Sequence, residues 1–311
     1  MPREPTLVSV AAPMHDEEGT VEDFHARVTA ALEHVPFELV IVDDGSQDGT
    51  AAKLADLADA DPRVKVVTLS RNFGHQAALT AALEHARGDV VVMLDGDLQD
   101  PPEVIPEMLA RWRDGADVVY AVRSERRGET AFKRTTASWF YRLFRSLADI
   151  DLTPESGDFR LMDRRPLDAL LAMPERNRFL RGMSVWVGYT QTAVTFEREA
   201  RSAGRTKYSL RRMVRFSFDA ITSFSHRPLQ FATLLGFAFS ALAFLAIPLT
   251  IVARYTNIYD RGVPSAIVII LLLGGIQLIC VGIIGEYVGR IYDEVKHRPL
   301  YVVRDKTNLD P

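Results

Sequence analysis

From Thr6 to Arg123 short apolar runs alternate with stretches of helical period. "LVSVAAP", "FELVIVDD", "VKVVTLS", "DVVVMLD" and "ADVVYAVR" predict five strands. Between them, "EEGTVEDFHARVTAALEHV", "DGTAAKLADLADA", "HQAALTAALEHA" and "PPEVIPEMLARWRDG" predict helices, the last with proline in its first turn. The strands are almost continuously apolar, as they are when helices cover both faces of a sheet. The order β-α-β-α predicts an α/β domain with a mostly parallel sheet. No internal repeat or low-complexity tract interrupts it.

The C-terminal third follows another rule. Phe231–Ala253 and Val263–Gly285 hold no charged residue, and each spans 23 residues. As helices they reach roughly 34 Å, enough to cross a bilayer core. A buried helical hairpin of a water-soluble protein is the alternative, disfavoured by two uncharged runs of this length. Arg211, Arg212, Arg215 and Arg227 precede the first run, and Arg290, Lys296, Arg298 and Arg304 follow the second. The connector carries Arg254 and Arg261, offset in part by Asp260. This bias predicts both termini on the cytoplasmic side of the plasma membrane. Ser209–Phe224 mixes apolar residues with three arginines and reads as an amphipathic helix on an anionic lipid surface. An ordinary helix packed on the soluble domain is its alternative. The expected organisation is a soluble domain over 1–208, a juxtamembrane helix over 209–228, a membrane hairpin over 229–288 and a cytoplasmic tail over 289–311.

Composition changes this picture little. A formal charge of -4 argues against nucleic acid as a partner. The single cysteine, Cys280, excludes an intrachain disulfide and a multi-cysteine zinc site. The first residues contain no apolar core of signal-peptide kind.

Candidate chemistry sits where the strands end. Polar residues collect at Pro13–Glu18, Asp43–Ser46, Asp95–Asp100 and Arg123–Arg127, and open α/β sheets bind ligands beyond the carboxyl ends of their strands. The first turn lacks the Gly-x-Gly-x-x-Gly of dehydrogenases, and no P-loop is present. Asp43, Asp44, Asp95 and Asp97 bring carboxylates to neighbouring strand ends at a density that needs a cation or many donors. Hard oxygen ligands in small number suit Mg2+ or Mn2+ bridged to a diphosphate. Taken alone, "VDDGSQDGT" reads better as a strand–turn–helix with Asp48 as cap, and Asp95-Gly96-Asp97 equally as a tight turn; together they favour a metal–nucleotide site.

An ordered set of segments carries a resemblance: "APMHDEE", "IVDDGSQDGT", "RNFGHQAALTAAL", "MLDGDLQDPPE", "SGDFRLMDRR", "RFLRG", "AGRTKYSL" and "GEYVGRIY". The chain resembles family 2 glycosyltransferases of GT-A fold, and more closely the polyprenyl-phosphate glycosyltransferases. The resemblance implies transfer of a hexose from a nucleoside-diphosphate sugar to a polyprenyl (undecaprenyl or decaprenyl) phosphate with inversion. Glucose from UDP-glucose is the first choice, with GDP-mannose, UDP-N-acetylhexosamine and aminoarabinose donors open. It also implies a homo-oligomer, a tetramer among relatives. Asp43 is expected at the base with Asp44 near it, and Pro13 and Glu17 in the nucleotide loop. Asp95 is expected toward the ribose and diphosphate, Asp97 on the metal with Asp95 beside it, and Gly96 and Gln99 by the sugar. Asp158 takes the place proposed for a catalytic base. Arg123, Arg126, Arg201, Arg205 and Lys207 are candidates for the donor diphosphate or lipid phosphate, whose oxygens guanidinium forks match. His15 and Asp16 stand where the family commonly has Tyr and Asn. A processive polysaccharide synthase would show a Gln-x-x-Arg-Trp segment, absent here. A non-catalytic nucleotide-sugar-binding protein would have no use for Asp97 and Asp158 together.

Overall fold

The computed structural model describes residues 3–123, 156–196, 227–255 and 263–309. They divide into two compact units: one combines the described residues before 197 with the segment from Arg298, and the other holds the two long helices.

In the first unit the predicted strands form as β1 (Val8–Met14), β2 (Phe37–Asp43), β3 (Val64–Leu69), β4 (Val90–Met93) and β5 (Val118–Arg123). Between them lie α1 (Val21–Ala31), α2 (Thr50–Ala60), α3 (His75–His85) and α4 (Ile105–Arg113), the last entered through a short 3-10 turn at Pro102–Val104. α4 buries one stripe, turning Ile105, Met108, Leu109 and Trp112 inward at the i, i+3, i+4, i+7 spacing of one helical face, whereas α3 is buried all round from Ala78 to Leu83. β1, β2 and β4 are buried along their whole length, as strands covered on both faces must be.

Three further strands were not predicted. β6 (Ser156–Asp163) runs antiparallel between β4 and β5. After α5 (Arg164–Leu171) and α6 (Leu180–Trp186), β7 (Gln191–Phe196) pairs parallel to β5. The sheet order among the described residues is β7-β5-β6-β4-β1-β2-β3-β8. β8 (Val303–Thr307) pairs antiparallel with β3. The expected mostly parallel α/β sheet is therefore present, with β6 and β8 as its two reversed strands. The residues after the second apolar run, read from sequence as a tail, end in a strand of this sheet.

The second unit contains α7 (Arg227–Tyr255), continuous through Pro248, and α8 (Val263–Val295). The predicted runs Phe231–Ala253 and Val263–Gly285 lie within them. Among the described residues one stretch, Leu272–Val295, is long and apolar enough to cross a membrane by length and composition. The predicted juxtamembrane helix lies outside the described residues.

Candidate active site

Register brings the acidic strand ends together. Met14 pairs with Asp43 and Ala11 with Met93, so β1, β2 and β4 finish at one edge. An antiparallel strand delivers its beginning to that edge: Arg160 of β6 pairs with Met93, which sets Asp158 just beyond the end of β4. There a cleft of about 250 Å³ opens, walled by Pro13, Glu17, Asp44, Asp95, Gly96 and Asp97 from the expected set. His15, Asn72, Gly74 and His75 complete much of the remainder.

The loops are tied to each other through their backbones. Asp44 is buried and accepts from the Phe73 amide at 2.7 Å and the Gly74 amide at 2.9 Å, which spends both carboxylate oxygens on the loop before α3. Asp43 Oδ1 accepts from the Ser46 amide at 3.0 Å. Asp16 has φ +54°, is held by Ser46 Oγ, and accepts from the Gln47 amide. The Thr20 hydroxyl donates to the Gly96 carbonyl at 3.0 Å. A Cβ at Gly96 would lie 2.7 Å from Met14 Cγ, so a larger residue there must displace the Met14 side chain. Gly45 combines φ +68° with the Arg71 backbone 2.5 Å from any Cβ. Asp97 accepts from the Gln99 amide at 3.1 Å and from its side chain.

His75 joins the two acidic segments. Its Nε2 lies 3.5 Å from Asp95 Oδ1 and 3.4 Å from Asp158 Oδ2. Burial alone would favour the neutral ring, but the bond to Asp158 and the charges of Asp95, Asp158 and Asp97 prevail and push it up to about 9. Asp158 is shielded yet held below the usual carboxylate range by His75, Arg181 and Arg160. Asp95 goes the other way, up to about 6, through burial with Asp158, Asp97 and Asp100 nearby and His75 opposing. The cleft wall carries four carboxylates, Glu17, Asp44, Asp95 and Asp97, against two histidines, His15 and His75.

That imbalance is the test of fit for a divalent cation, and oxygens of carboxylate type pass it. Among the described residues no group of three or more His, Cys, Asp or Glu side chains is placed to hold a metal unaided. A cation here would draw its remaining oxygens from a substrate.

Gln99 and Asp158 stand beside the cleft, joined to it through Asp97 and His75. Arg123 ends β5. Arg126, Arg201, Arg205 and Lys207 lie outside the described residues. Sequence reasoning gave no role to His75, Gln76, Arg160 or Arg181, all of which converge on Asp158. They stood inside the quoted segments "RNFGHQAALTAAL", "SGDFRLMDRR" and "RFLRG" without a chemical signal of their own.

An α/β sheet whose strand ends deliver carboxylates to one cleft, joined there by a histidine from the start of α3, defines a ligand-binding protein of the enzyme kind. Residues 9–171 match the family described as Glycosyl transferase family 2, and the chain belongs to that family. It is 45% identical over 305 residues to the uncharacterized glycosyltransferase YkcC of Bacillus subtilis, covering 97% of this chain and 94% of that one. It is 40% identical over 304 residues to the bactoprenol glucosyl transferase of Shigella phage SfV, with 96% and 98% covered. A glucosyl-3-phosphoglycerate synthase from Mycobacterium tuberculosis, solved with Mn2+, UDP and glucosyl-3-phosphoglycerate, is 20% identical with a TM-score of 0.44, covering 75% of this chain and 79% of that one.

Proposed function

We propose that the protein transfers glucose from UDP-glucose to the phosphate of a membrane polyprenol, undecaprenyl or decaprenyl phosphate, with inversion at C1. The observation that carries this is the 40% identity, over nearly the full length of both chains, to a protein named for glucose and bactoprenol. The acidic cleft at the carboxyl edge is the place where this reading puts the donor.

Pro13, Glu17, Asp43, Asp44, Asp95, Gly96, Gln99 and Arg123 form the donor side in this reading. Asp97 and Asp95 would hold Mg2+ or Mn2+. Such a cation supplies charge neutralisation for the departing diphosphate. Asp44 acts at one remove, fixing the Phe73–Gly74 backbone that borders the cleft. Asp158 orients rather than deprotonates: it faces His75 and Arg181, and a carboxylate so held is a weak base. A phosphate monoester has a second pKa near 6, about a unit below cytosolic pH, so the acceptor needs little proton abstraction. Arg126, Arg201, Arg205 and Lys207 would take the acceptor phosphate or donor diphosphate.

The lipid acceptor gives the apolar helices their purpose. Two spans would anchor the enzyme in the plasma membrane with both termini cytoplasmic, and the soluble domain over 1–208 would work at its surface through the basic juxtamembrane segment. By likeness the assembly would be a tetramer.

Membranes containing the protein, given undecaprenyl phosphate and labelled nucleotide sugars, should form lipid-linked glucose from UDP-glucose only with Mg2+ or Mn2+. Asp97→Ala should lose about 100- to 1000-fold in turnover, the scale of a lost electrostatic stabiliser, with its melting temperature unchanged. Lipid product that forms equally well in chelator would overturn the metal assignment. No lipid product from any donor would overturn the function.

A further inference from the structure

The first turn of α6 carries Arg181 toward Asp158, with Nε 3.7 Å from Oδ1. That turn has no cap of its own: Phe179 supplies no side-chain bond, and the first N–H groups of a helix lack intrahelical partners. Gln76, the second residue of α3, fills the gap. Its Oε1 accepts from the Leu180 amide at 3.0 Å while its Nε2 donates to Asp158 Oδ2 at 3.1 Å. An amide N–H can only donate and a carboxylate can only accept, so these partners fix which way the Gln76 amide points. Arg160, buried to 2% exposure and two residues from Asp158 on β6, donates to the Arg181 carbonyl at 3.2 Å, to the Gly157 carbonyl at 3.0 Å and to Ser184 Oγ. Ser184 Oγ donates to the same Arg181 carbonyl at 2.9 Å.

We propose that Gln76 and Arg160 are positioning residues for glycosyl transfer, latching the start of α6 so that Arg181 and Asp158 are held as a fixed pair at the edge of the cleft. Gln76 bonds Asp158 directly and the Leu180 amide next to Arg181. It can therefore set their separation without contacting either substrate. The inference rests on the reading of Asp158 as part of the transfer centre.

Gln76→Leu removes both bonds at similar volume. It should lower kcat by about 10- to 100-fold, the cost of a small misplacement of reacting groups, with the KM for UDP-glucose within about twofold of wild type. Gln76→Glu separates latch from cap. One oxygen still accepts the Leu180 amide, but the other confronts Asp158 and must carry a proton to replace the lost donor. The ratio of its activity to wild type should rise about tenfold from pH 8 to pH 6, because paired carboxylates sharing a proton titrate well above their ordinary value. A residue that merely stabilised the fold would give a flat ratio. Amide exchange in α6 should quicken at least about tenfold in Gln76→Leu and in Arg160→Lys, each removing partners that hold buried amides closed. Unchanged α6 exchange, or a Gln76→Leu kcat within twofold of wild type, would overturn the proposal. Wild type that transfers nothing would overturn the function instead, and the exchange measurement would still decide the latch.

Discussion

At the scale of single residues, the cleft is built from carboxylates with unlike tasks. Asp95, Asp97 and Asp44 all border the cleft, but Asp44 also gives both its oxygens to two backbone amides. The sequence presents them as similar acids after strands, and spacing alone cannot tell which face a ligand and which hold a loop. Asp44→Ala should therefore destabilise the fold by about 2–4 kcal/mol, since two shielded N–H groups lose their acceptor. UDP affinity should fall with it, because the Phe73–Gly74 loop borders the cleft. Thermal unfolding and calorimetric UDP titration would check this, and an unchanged melting temperature would contradict a structural role. His75 was illegible for the opposite reason: a lone histidine at a helix start says nothing until the fold sets Asp95 and Asp158 on either side of it.

At the scale of elements, β1 to β5 were legible because each is mostly apolar, and β1, β2 and β4 are buried along their whole length. β6 was not, since it buries Arg160 and carries Asp158 and Asp163 in an eight-residue strand, charges that periodicity counts against a strand. β8 is an edge strand of sequence VRDKT, polar at an edge as aggregation avoidance demands, and its partner β3 lies more than two hundred residues earlier in the chain. β2 carries its own exception, Glu38, buried at 3% exposure. It accepts from Ser9 Oγ at 2.5 Å, from the Arg87 amide at 2.6 Å and from Lys65 Nζ. Burial opposes its ionised form, but these donors and the Lys65 charge outweigh it, and Glu38 stays below the ordinary carboxylate range. A carboxyl depressed in the folded state contributes its full stability above the unfolded value near 4.5 and loses it as pH falls through the lower folded value. Urea unfolding at pH 7 should show Glu38→Gln less stable by about 3 kcal/mol, the scale of a shielded ammonium left without its counter-charge. As pH falls through the lowered folded value the gap should close, and a pH-independent gap would refute the linkage.

At the scale of the whole molecule, the chain rejoins the first unit at Arg298, after the two long helices. The return is fastened along its length. The Ser70 amide donates to the Val302 carbonyl at 2.9 Å, Tyr301 bonds Glu84 on α3, and Asn308 Nδ2 reaches the carbonyls of Ala58 and Val64 at 2.7 and 2.9 Å. Sequence reading placed a tail here because the domain's own hydrophobic pattern closes without it. The strap nonetheless grips Ser70, one residue before the loop that Asp44 pins, and α3, the helix that begins with His75. Ending the chain at His297 strips β3 of its outer partner. At about 1 kcal/mol net per hydrogen bond, several lost bonds amount to roughly 3 kcal/mol. For a unit of some two hundred residues that lowers the melting temperature by about 6–12 °C. UDP affinity should drop in the same variant, because freedom at Ser70 passes to a wall of the cleft. A synthetic peptide covering 298–311, added in excess, should recover part of both losses by pairing with the vacated edge. A truncated protein that melts and binds UDP as the full chain does would show that the strap is ornament to the sheet, and that the cleft is held by β1, β2 and β4 alone.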